Sequence, residues 1–345
     1  MQQIIIDEET EGQRLNKLLG KYLDAAPQSF LYKMFRKKNI KYNHKRATGN
    51  EIVHKGDVVD IFMSDDTIKN FQKGGTLHGD SNALSDVQIL FENEDVLIIN
   101  KPAGMLSQKA EAGDYSLNER IVDYYHSREN YSTIFTPSVC NRLDRNTSGI
   151  ILAGMSLKGT RELSHMLKER ELDKYYLTIV YGIVCKSETI KGFLAKKQNH
   201  NQVVIYKSLD EAGKNGEDHP AFIETRYEPI VTGKFRDMHF SLLKVKLITG
   251  KTHQIRAHLD SIGHPVIGDG KYGMKSVNAV MKREFGLKYQ LLHAYNLTFP
   301  EKNCALEELS GKHIYAGLPE AFYEIGVKLF GKEGLEKFII QGEEA

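Results

Sequence analysis

Asn141-Arg142-Leu143-Asp144-Arg145-Asn146-Thr147-Ser148-Gly149 runs directly into the apolar stretch Ile150-Ile151-Leu152-Ala153. Polar turn-formers that end at a glycine and give way to apolar, partly β-branched residues predict a turn feeding a strand, with Asp144 at the tip of a strand–turn–strand. One carboxylate therefore stands between two arginines, and a neighbouring guanidinium favours the charged form of an acid. A charged acid fixed on a loop can attack an electrophilic carbon or take a proton. The same residues equally suit a structural aspartate that pairs with Arg145 and closes the turn, since most Asp–Arg neighbours are surface pairs of small energetic worth. The rest of the chain must decide between these readings.

Outward from the turn, the pattern is one of strands following strands. Val87–Phe91 and Val96–Asn100 are β-rich runs joined by Glu92-Asn93-Glu94-Asp95, a hairpin signal, and Lys101-Pro102-Ala103-Gly104-Met105 forces the backbone to turn after the second run. Ser156–Glu171 has helical spacing at Leu157, Leu163, Met166 and Leu167. Lys174–Gly182, Met238–Ile248 and Leu291–Phe299 read as further strands, and Thr252–Ser261 as a helix. The fold class this predicts is α+β: a mixed, mainly antiparallel β-sheet with flanking helices over residues 86–345, not a doubly wound fold.

Residues 1–63 predict a separate small α+β unit. Gly12–Leu19 carries Leu15, Leu18 and Leu19 on one helical face, and Ser29–Arg36 predicts a second helix with Ser29 as its N-cap. Asn39–His44 and Val58–Phe62 predict short strands. Net charge is only +2 over 345 residues, but its distribution is uneven. From Arg14 to Arg46 there are ten Lys or Arg against the single acid Asp24, whereas from Glu301 onward nine acids face five lysines. A nearly neutral chain that is strongly basic at one end predicts a specific surface for an anionic polymer. Two small helices and a hairpin with a basic face resemble the alpha-L RNA-binding module of a small-subunit ribosomal protein. Residues 64–85, with Gly74-Gly75, Gly79, Ser81 and Asn82, read as a flexible linker.

Composition narrows the function classes. With 41% hydrophobic and 27% charged residues the chain suits a globular protein. No apolar run approaches a membrane span, and Met1–Asp7 is too short and too soon acidic for a signal peptide, so a cytoplasmic location without membrane association is expected. Cys140, Cys185 and Cys304 are too few and too far apart for a disulfide framework or a zinc cluster. The acidic tail, with Phe322, Ile325, Leu329, Phe330 and Phe338 at roughly helical spacing, is expected to pack as core.

Four segments occur in order: Lys101-Pro102-Ala103-Gly104; Arg142-Leu143-Asp144 with Thr147-Ser148-Gly149; Lys174-x-Tyr176 ending at Gly182; and Thr249-Gly250-Lys251-Thr252-His253-Gln254-Ile255-Arg256-x-His258. This ordered set closely resembles the RluA-type pseudouridine synthases, from about Val87 to Phe299. An amino-terminal alpha-L module joined to such a domain is the arrangement of the members that act on large-subunit ribosomal RNA. The resemblance implies isomerisation of uridine to pseudouridine in RNA, without redox chemistry and with no metal or other cofactor. It implies that Asp144 is the catalytic aspartate, that Tyr176 is the aromatic against which an everted uracil stacks, and that Arg256 pairs with and orients the acid.

Arg142 is equally a wedge entering the vacated RNA helix or a phosphate clamp. Lys101 and Lys251 are expected on backbone phosphate, with Arg14, Lys33, Arg36, Lys37, Lys38 and Lys41 as the basic RNA-binding face of residues 1–63. A five-residue gap does not put His253 and His258 on one helix face, so hydrogen bonding or packing is expected of both instead of metal ligation. Relatives commonly carry His where Asn141 stands and often Asp where Asn146 stands, and no role passes to either. A monomer that takes RNA as its partner is expected. The alternative is a non-catalytic RNA-binding or ribosome-assembly factor that keeps the fold, which loss of Asp144 or Tyr176 would have favoured. A glycosidase or metal-dependent hydrolase would need a second matched carboxylate or a ligand cluster, and neither is recognisable.

Overall fold

The computed structural model describes residues 2–7, 10–71, 79–111, 113–128, 131, 135–196, 202–217, 219–301 and 306–336. The amino-terminal unit comprises β1 (Gln2–Ile5), α1 (Leu15–Tyr22), α2 (Gln28–Arg36), β2 (Ile40–Tyr42), β3 (Lys45–Arg46), β4 (Val58–Ile61) and α3 (Asp65–Phe71). Its antiparallel sheet has the order β1-β4-β2-β3. Leu15, Leu18 and Leu19, spaced three and four apart, are fully buried against Leu31, Met34 and Phe35 of α2, the outcome that helical periodicity dictates.

Two expectations need correction here. Ser29 does not cap α2: Pro27 holds the N-cap position and the helix begins at Gln28, where a preset φ takes the place of a side-chain cap. Nor is 64–85 a linker throughout. Ser64 accepts from the Thr67 amide at 3.3 Å and opens α3, whose Ile68 is buried in the amino-terminal core while Phe71 lies 4.4 Å from the Phe30 ring. At the far end Leu84 is buried in the core of the larger domain. Gly74 and Gly75 lie outside the described residues. The polar composition disguised a short helix that needs only two anchoring side chains.

The larger domain contains β5 (Gln88–Glu92), β6 (Val96–Lys101), α4 (Leu117–His126), β7 (Ser138–Val139), β8 (Ser148–Gly154), α5 (Leu157–Glu169), β9 (Asp173–Tyr181), β10 (Glu188–Lys196) and β11 (Val203–Tyr206). It continues with α6 (Leu209–Lys214), β12 (Ala221–Phe235), β13 (Met238–Leu247), α7 (Gln254–Ser261), α8 (Lys275–Phe285), β14 (Leu292–Thr298), β15 (His313–Tyr315) and α9 (Glu320–Phe330). An 11-stranded sheet runs β11-β10-β12-β13-β9-β14-β8-β6-β5, with β15 beside β14 and β7 beside β8. Among the described residues every strand pair of this sheet is antiparallel except β8–β14. The mixed, mainly antiparallel architecture expected from strands that follow strands is thus observed.

Both faces of the sheet centre are covered, which explains why β6 and β8 read as unbroken apolar runs and not as alternating ones. Val96, Ile98, Ile150 and Leu152 pack with Leu163 and Met166 of α5 on one side. Leu97, Ile99, Ile151 and Ala153 face the other core, with Ile121 of α4, Tyr176 and Val180 of β9, and Ile255 and Leu259 of α7. Phe322, Ile325 and Leu329 of α9 bury against Leu177, Phe240 and Leu242, so this part of the acidic tail packs as core; Phe338 lies outside the described residues. The two units touch where Arg161 of α5 donates to the Glu11 carbonyl at 3.0 Å. Among the described residues no helix is long and apolar enough to cross a membrane.

Candidate active site

The turn from β7 to β8 is pinned at nearly every residue. Asn141 spans it, accepting from the Leu152 amide at 2.7 Å and donating to the Ile150 carbonyl at 3.2 Å. Ser107 Oγ accepts from the Leu143 amide at 3.1 Å and donates to the Leu143 carbonyl at 2.9 Å. Gln290 donates to Thr147 Oγ1 at 2.8 Å, and Gly104 N–H donates to the Arg145 carbonyl at 2.8 Å. Gly149, at φ +114, brings β8 so close to β14 that a Cβ there would lie 2.2 Å from the Ala294 carbonyl oxygen. Only glycine fits this approach. Asp144 is thereby held rigidly, its side chain a quarter exposed.

Lys101 is the clearest departure from expectation. It is not on a surface that phosphate can reach: it is fully buried, and its ammonium donates to the carbonyls of Pro102, Met105 and Arg145 at 2.9, 2.9 and 3.2 Å. Three carbonyl oxygens just after β6 and in the Asp144 turn converge on the buried ammonium and give it the partners it needs out of water. Burial pushes its pKa down to about 7, opposed by the nearby Asp144 carboxylate. Its place is under the turn, not on RNA.

Arg256, from α7, reaches Asp144 Oδ2 with Nη1 at 2.7 Å. The opposite edge of its guanidinium grips Asp269, Nε to Oδ2 at 2.6 Å and Nη2 to Oδ1 at 2.7 Å. Asp269 is fully buried and also accepts from the amides of Lys271 and Tyr272 at 2.8 and 3.1 Å. Burial opposes its ionisation, yet the hydrogen bonds and charge of Arg256 hold its pKa below the ordinary carboxylate range. The guanidinium plane is further backed by the Tyr272 ring, 5.2 Å from its centre. Asp269 thus fixes which edge of Arg256 is free to face Asp144, a fork geometry that lysine could not reproduce.

Tyr176 lies on β9, whose partner β14 also pairs with the end of the Asp144 turn: Ala294 stands opposite both Tyr176 and Gly149. Its phenol is buried, and burial followed by the negative charge of Asp144 raises its pKa. It is therefore neutral at physiological pH and close enough to feel that charge. Tyr175, its neighbour, points to the other face, with the Lys244 and Lys246 ammonium groups 4.9 and 5.5 Å from its ring.

His253 precedes α7 in a left-handed conformation, φ +56, and its Nδ1 lies 3.0 Å from the Tyr272 hydroxyl. His258 is fully buried, with Nδ1 2.8 Å from Thr225 Oγ1. Hydrogen bonding or packing was the expectation for both histidines, but the proximity of His253 to Asp144, 4.0 Å from Nε2 to Oδ2, was not. Asp269 and Tyr272 were missed altogether. The signal available for them was Gly268-Asp269-Gly270-Lys271-Tyr272-Gly273, a glycine-rich loop soon after the Arg256 helix. Among the described residues no group of three or more His, Cys, Asp or Glu could hold a metal ion.

Arg142 and Lys251 are exposed. In the amino-terminal unit Arg14, Lys33, Arg36, Lys37 and Lys38 are exposed, and Lys41 is half-buried with its ammonium 5.0 Å over the Phe62 ring. Lys33, Arg36 and Lys37 share one face of α2 and its C-terminal end, where cations complement the helix dipole and stay available to an anion.

The RNA pseudouridylate synthase family profile matches residues 95–261. The chain is 31% identical over 304 residues to ribosomal large subunit pseudouridine synthase C of Haemophilus influenzae, covering 86% of each protein. Against the protein of that name in Vibrio cholerae it is 30% identical over 307 residues, covering 87% of this chain and 89% of the relative. Among solved structures, human RNA pseudouridylate synthase domain-containing protein 1 shares the fold with a TM-score of 0.54 at 20% identity, over 79% of this chain and 98% of that one. With a turn-borne aspartate held by its arginine, a buried tyrosine near enough to sense that carboxylate's charge, and relatives matched along most of its length, this chain belongs to the RNA pseudouridylate synthase family.

Proposed function

We propose that this protein isomerises uridine to pseudouridine in large-subunit ribosomal RNA, with Asp144 as the group that engages the target nucleotide. The observation that carries the reading is the Asp144 carboxylate, partly open to solvent and held at 2.7 Å by a buried arginine that a second carboxylate grips from behind. A structural turn aspartate needs none of this apparatus. The reaction breaks the bond between ribose C1′ and uracil N1, turns the base and rejoins it through C5, so one carboxylate suffices as nucleophile or base. Tyr176 offers a buried aromatic face to the everted base, and its neutral phenol stands near the carboxylate.

In this reading Arg142 and Lys251 contact RNA at the crevice rim. The alpha-L-like unit, with Arg14, Lys33, Arg36, Lys37, Lys38 and Lys41, supplies sequence-independent phosphate contacts. The protein works as a cytoplasmic monomer without a cofactor. Asp144→Asn tests the assignment: isomerisation of a ribosomal RNA fragment should vanish while RNA affinity stays close to wild type. Pseudouridine formation that persists in the variant overturns it. Full RNA affinity in a wild-type protein that forms no pseudouridine on any ribosomal RNA would favour the binding-factor alternative.

A further inference from the structure

His253 is built for a purpose that the hydrogen bonding of a buried side chain does not account for. It opens α7 at φ +56, a backbone region that residues with a Cβ rarely adopt. Strain of that kind persists only where surrounding structure enforces it, and it gathers at working sites. The side chain makes no capping hydrogen bond to the helix it precedes. Its ring is instead turned toward Asp144, 7% exposed, with an edge-on contact to Tyr272 at 5.6 Å between ring centres.

The hydrogen bonds around Tyr272 determine which imidazole nitrogen carries the proton. The Val203 amide donates to the Tyr272 hydroxyl oxygen at 2.8 Å. The tyrosine's own proton is then free to go to His253 Nδ1, 3.0 Å away. With Nδ1 accepting, a neutral imidazole must hold its proton on Nε2. Burial lowers the pKa of the ring against the opposing pull of Asp144, which keeps it neutral at physiological pH. The other charged and titratable groups that face it are Arg256, Lys271 and Asp269.

Nε2 lies 4.0 Å from Asp144 Oδ2, too far for a hydrogen bond, and that oxygen already accepts from Arg256. A fixed N–H donor thus sits beside the carboxylate with no hydrogen-bond acceptor among the described residues. We propose that His253 is a further catalytic residue whose Nε2–H donates a hydrogen bond to the 2-carbonyl oxygen of the target uracil as its bond to the ribose breaks. This rests on the reading that Asp144 engages the nucleotide. When the C1′–N1 bond opens, its electron pair passes to the base and spreads over N1 and the ring carbonyl oxygens. No proton leaves the imidazole: the charge is neutralised when C5 bonds to C1′, and the proton that C5 then loses is balanced by one that N1 takes up from water. The 2-carbonyl is attached to the carbon next to N1, close to any sugar or base atom that Asp144 can reach. A donor aimed where charge develops acts in the transition state more than in the bound ground state.

The test uses the full chain and a ribosomal RNA fragment carrying uridine, 2-thiouridine or 4-thiouridine at the modified position, with single-turnover isomerisation followed by nucleoside chromatography. Sulfur accepts hydrogen bonds poorly. In wild type, 2-thiouridine should react at least tenfold more slowly than 4-thiouridine. In His253→Phe, which keeps the ring against Tyr272, uridine should slow by a similar factor at unchanged RNA affinity, and the 2-thio penalty should disappear. A 2-thio penalty equal in wild type and variant overturns the proposal. If His253→Phe does not fold, nitrogen-15 NMR of wild-type histidines decides the donor: protonation on Nδ1 of His253 overturns it, and protonation on Nε2 together with the wild-type 2-thio penalty supports it. Failure of wild type to isomerise uridine itself would count against the proposed function, a result distinct from either.

Discussion

Replacing Asp269 by asparagine isolates the group that aims Arg256 at Asp144. The carboxylate is fully buried and takes four hydrogen bonds, two from Arg256 and two from backbone amides. An asparagine can keep its oxygen on the two amides and Nη2, but its NH2 then faces the Arg256 Nε–H, donor against donor. Removing one partner of a buried ion pair costs about 3–5 kcal/mol, and the retained amide bonds place this variant near ~3 kcal/mol. At about 2–4 °C per kcal/mol for a domain of this size, the melting temperature should fall by roughly 6–12 °C.

The arginine, released on one edge, no longer presents Nη1 squarely to Asp144. A displacement of about 1 Å at a reacting group costs on the order of 10²-fold in rate, and single-turnover isomerisation should drop by that factor. RNA affinity should hold, because Asp269 has no surface to offer RNA. The pH dependence has a definite sign. A carboxylate whose folded pKa is depressed stabilises the fold above its unfolded value, about 3.9, and that contribution is lost as pH falls through the folded value. Acid melting curves of the variant should therefore lack a component present in wild type. A variant that melts with wild type and turns over RNA at the wild-type rate would refute the role given to Asp269.

Lys101→Met should leave the Pro102 and Met105 carbonyls without the lysine donor and the Arg145 carbonyl with only the Gly104 N–H, destabilising the domain by about 1–3 kcal/mol, read from thermal melts, with loss of activity but little change in RNA affinity. An RNA-contact lysine would give the reverse pattern. Tyr176→Phe keeps the aromatic face and removes the phenol, so RNA affinity should be unchanged and the single-turnover rate should fall by about 10²-fold if the phenol helps move a proton; an unchanged rate leaves stacking as the residue's part. Deleting residues 1–71 should weaken RNA binding and flatten its dependence on salt more than it slows chemistry on a short RNA, and an equal salt slope in both proteins would count against the basic face.

The Asp144 turn and the succession of strands were legible because each depends on local pattern, whereas the Asp144–Arg256 pair was legible only through the family resemblance that the ordered motifs carry. Lys101 was misread because a lysine is ordinarily a surface residue, and nothing local reveals that three carbonyls converge on it. Asp269 and Tyr272 escaped because their meaning lies in a contact with Arg256 across a loop, not in their spacing. Residues 64–71 were taken for linker because the buried Ile68 and the half-buried Phe71 are diluted by polar neighbours. Ser29 lost the cap to Pro27, since either residue type can open a helix and sequence alone does not rank them.

The contact between Gly149 and Ala294 also bears on how the protein is made. Ser148 and His293, joined at 2.8 Å across 145 positions of chain, belong to the one parallel pairing in the large sheet among the described residues. A nascent polypeptide can form the hairpin around Asp144 early, but it cannot lock that hairpin until the segment near Ala294 has emerged. Long-range pairings of this kind form late and slowly. The candidate site around Asp144 is thus among the last parts to be completed during synthesis, and a chain truncated before β14 would carry every residue of the opening motif without the strand that locks it.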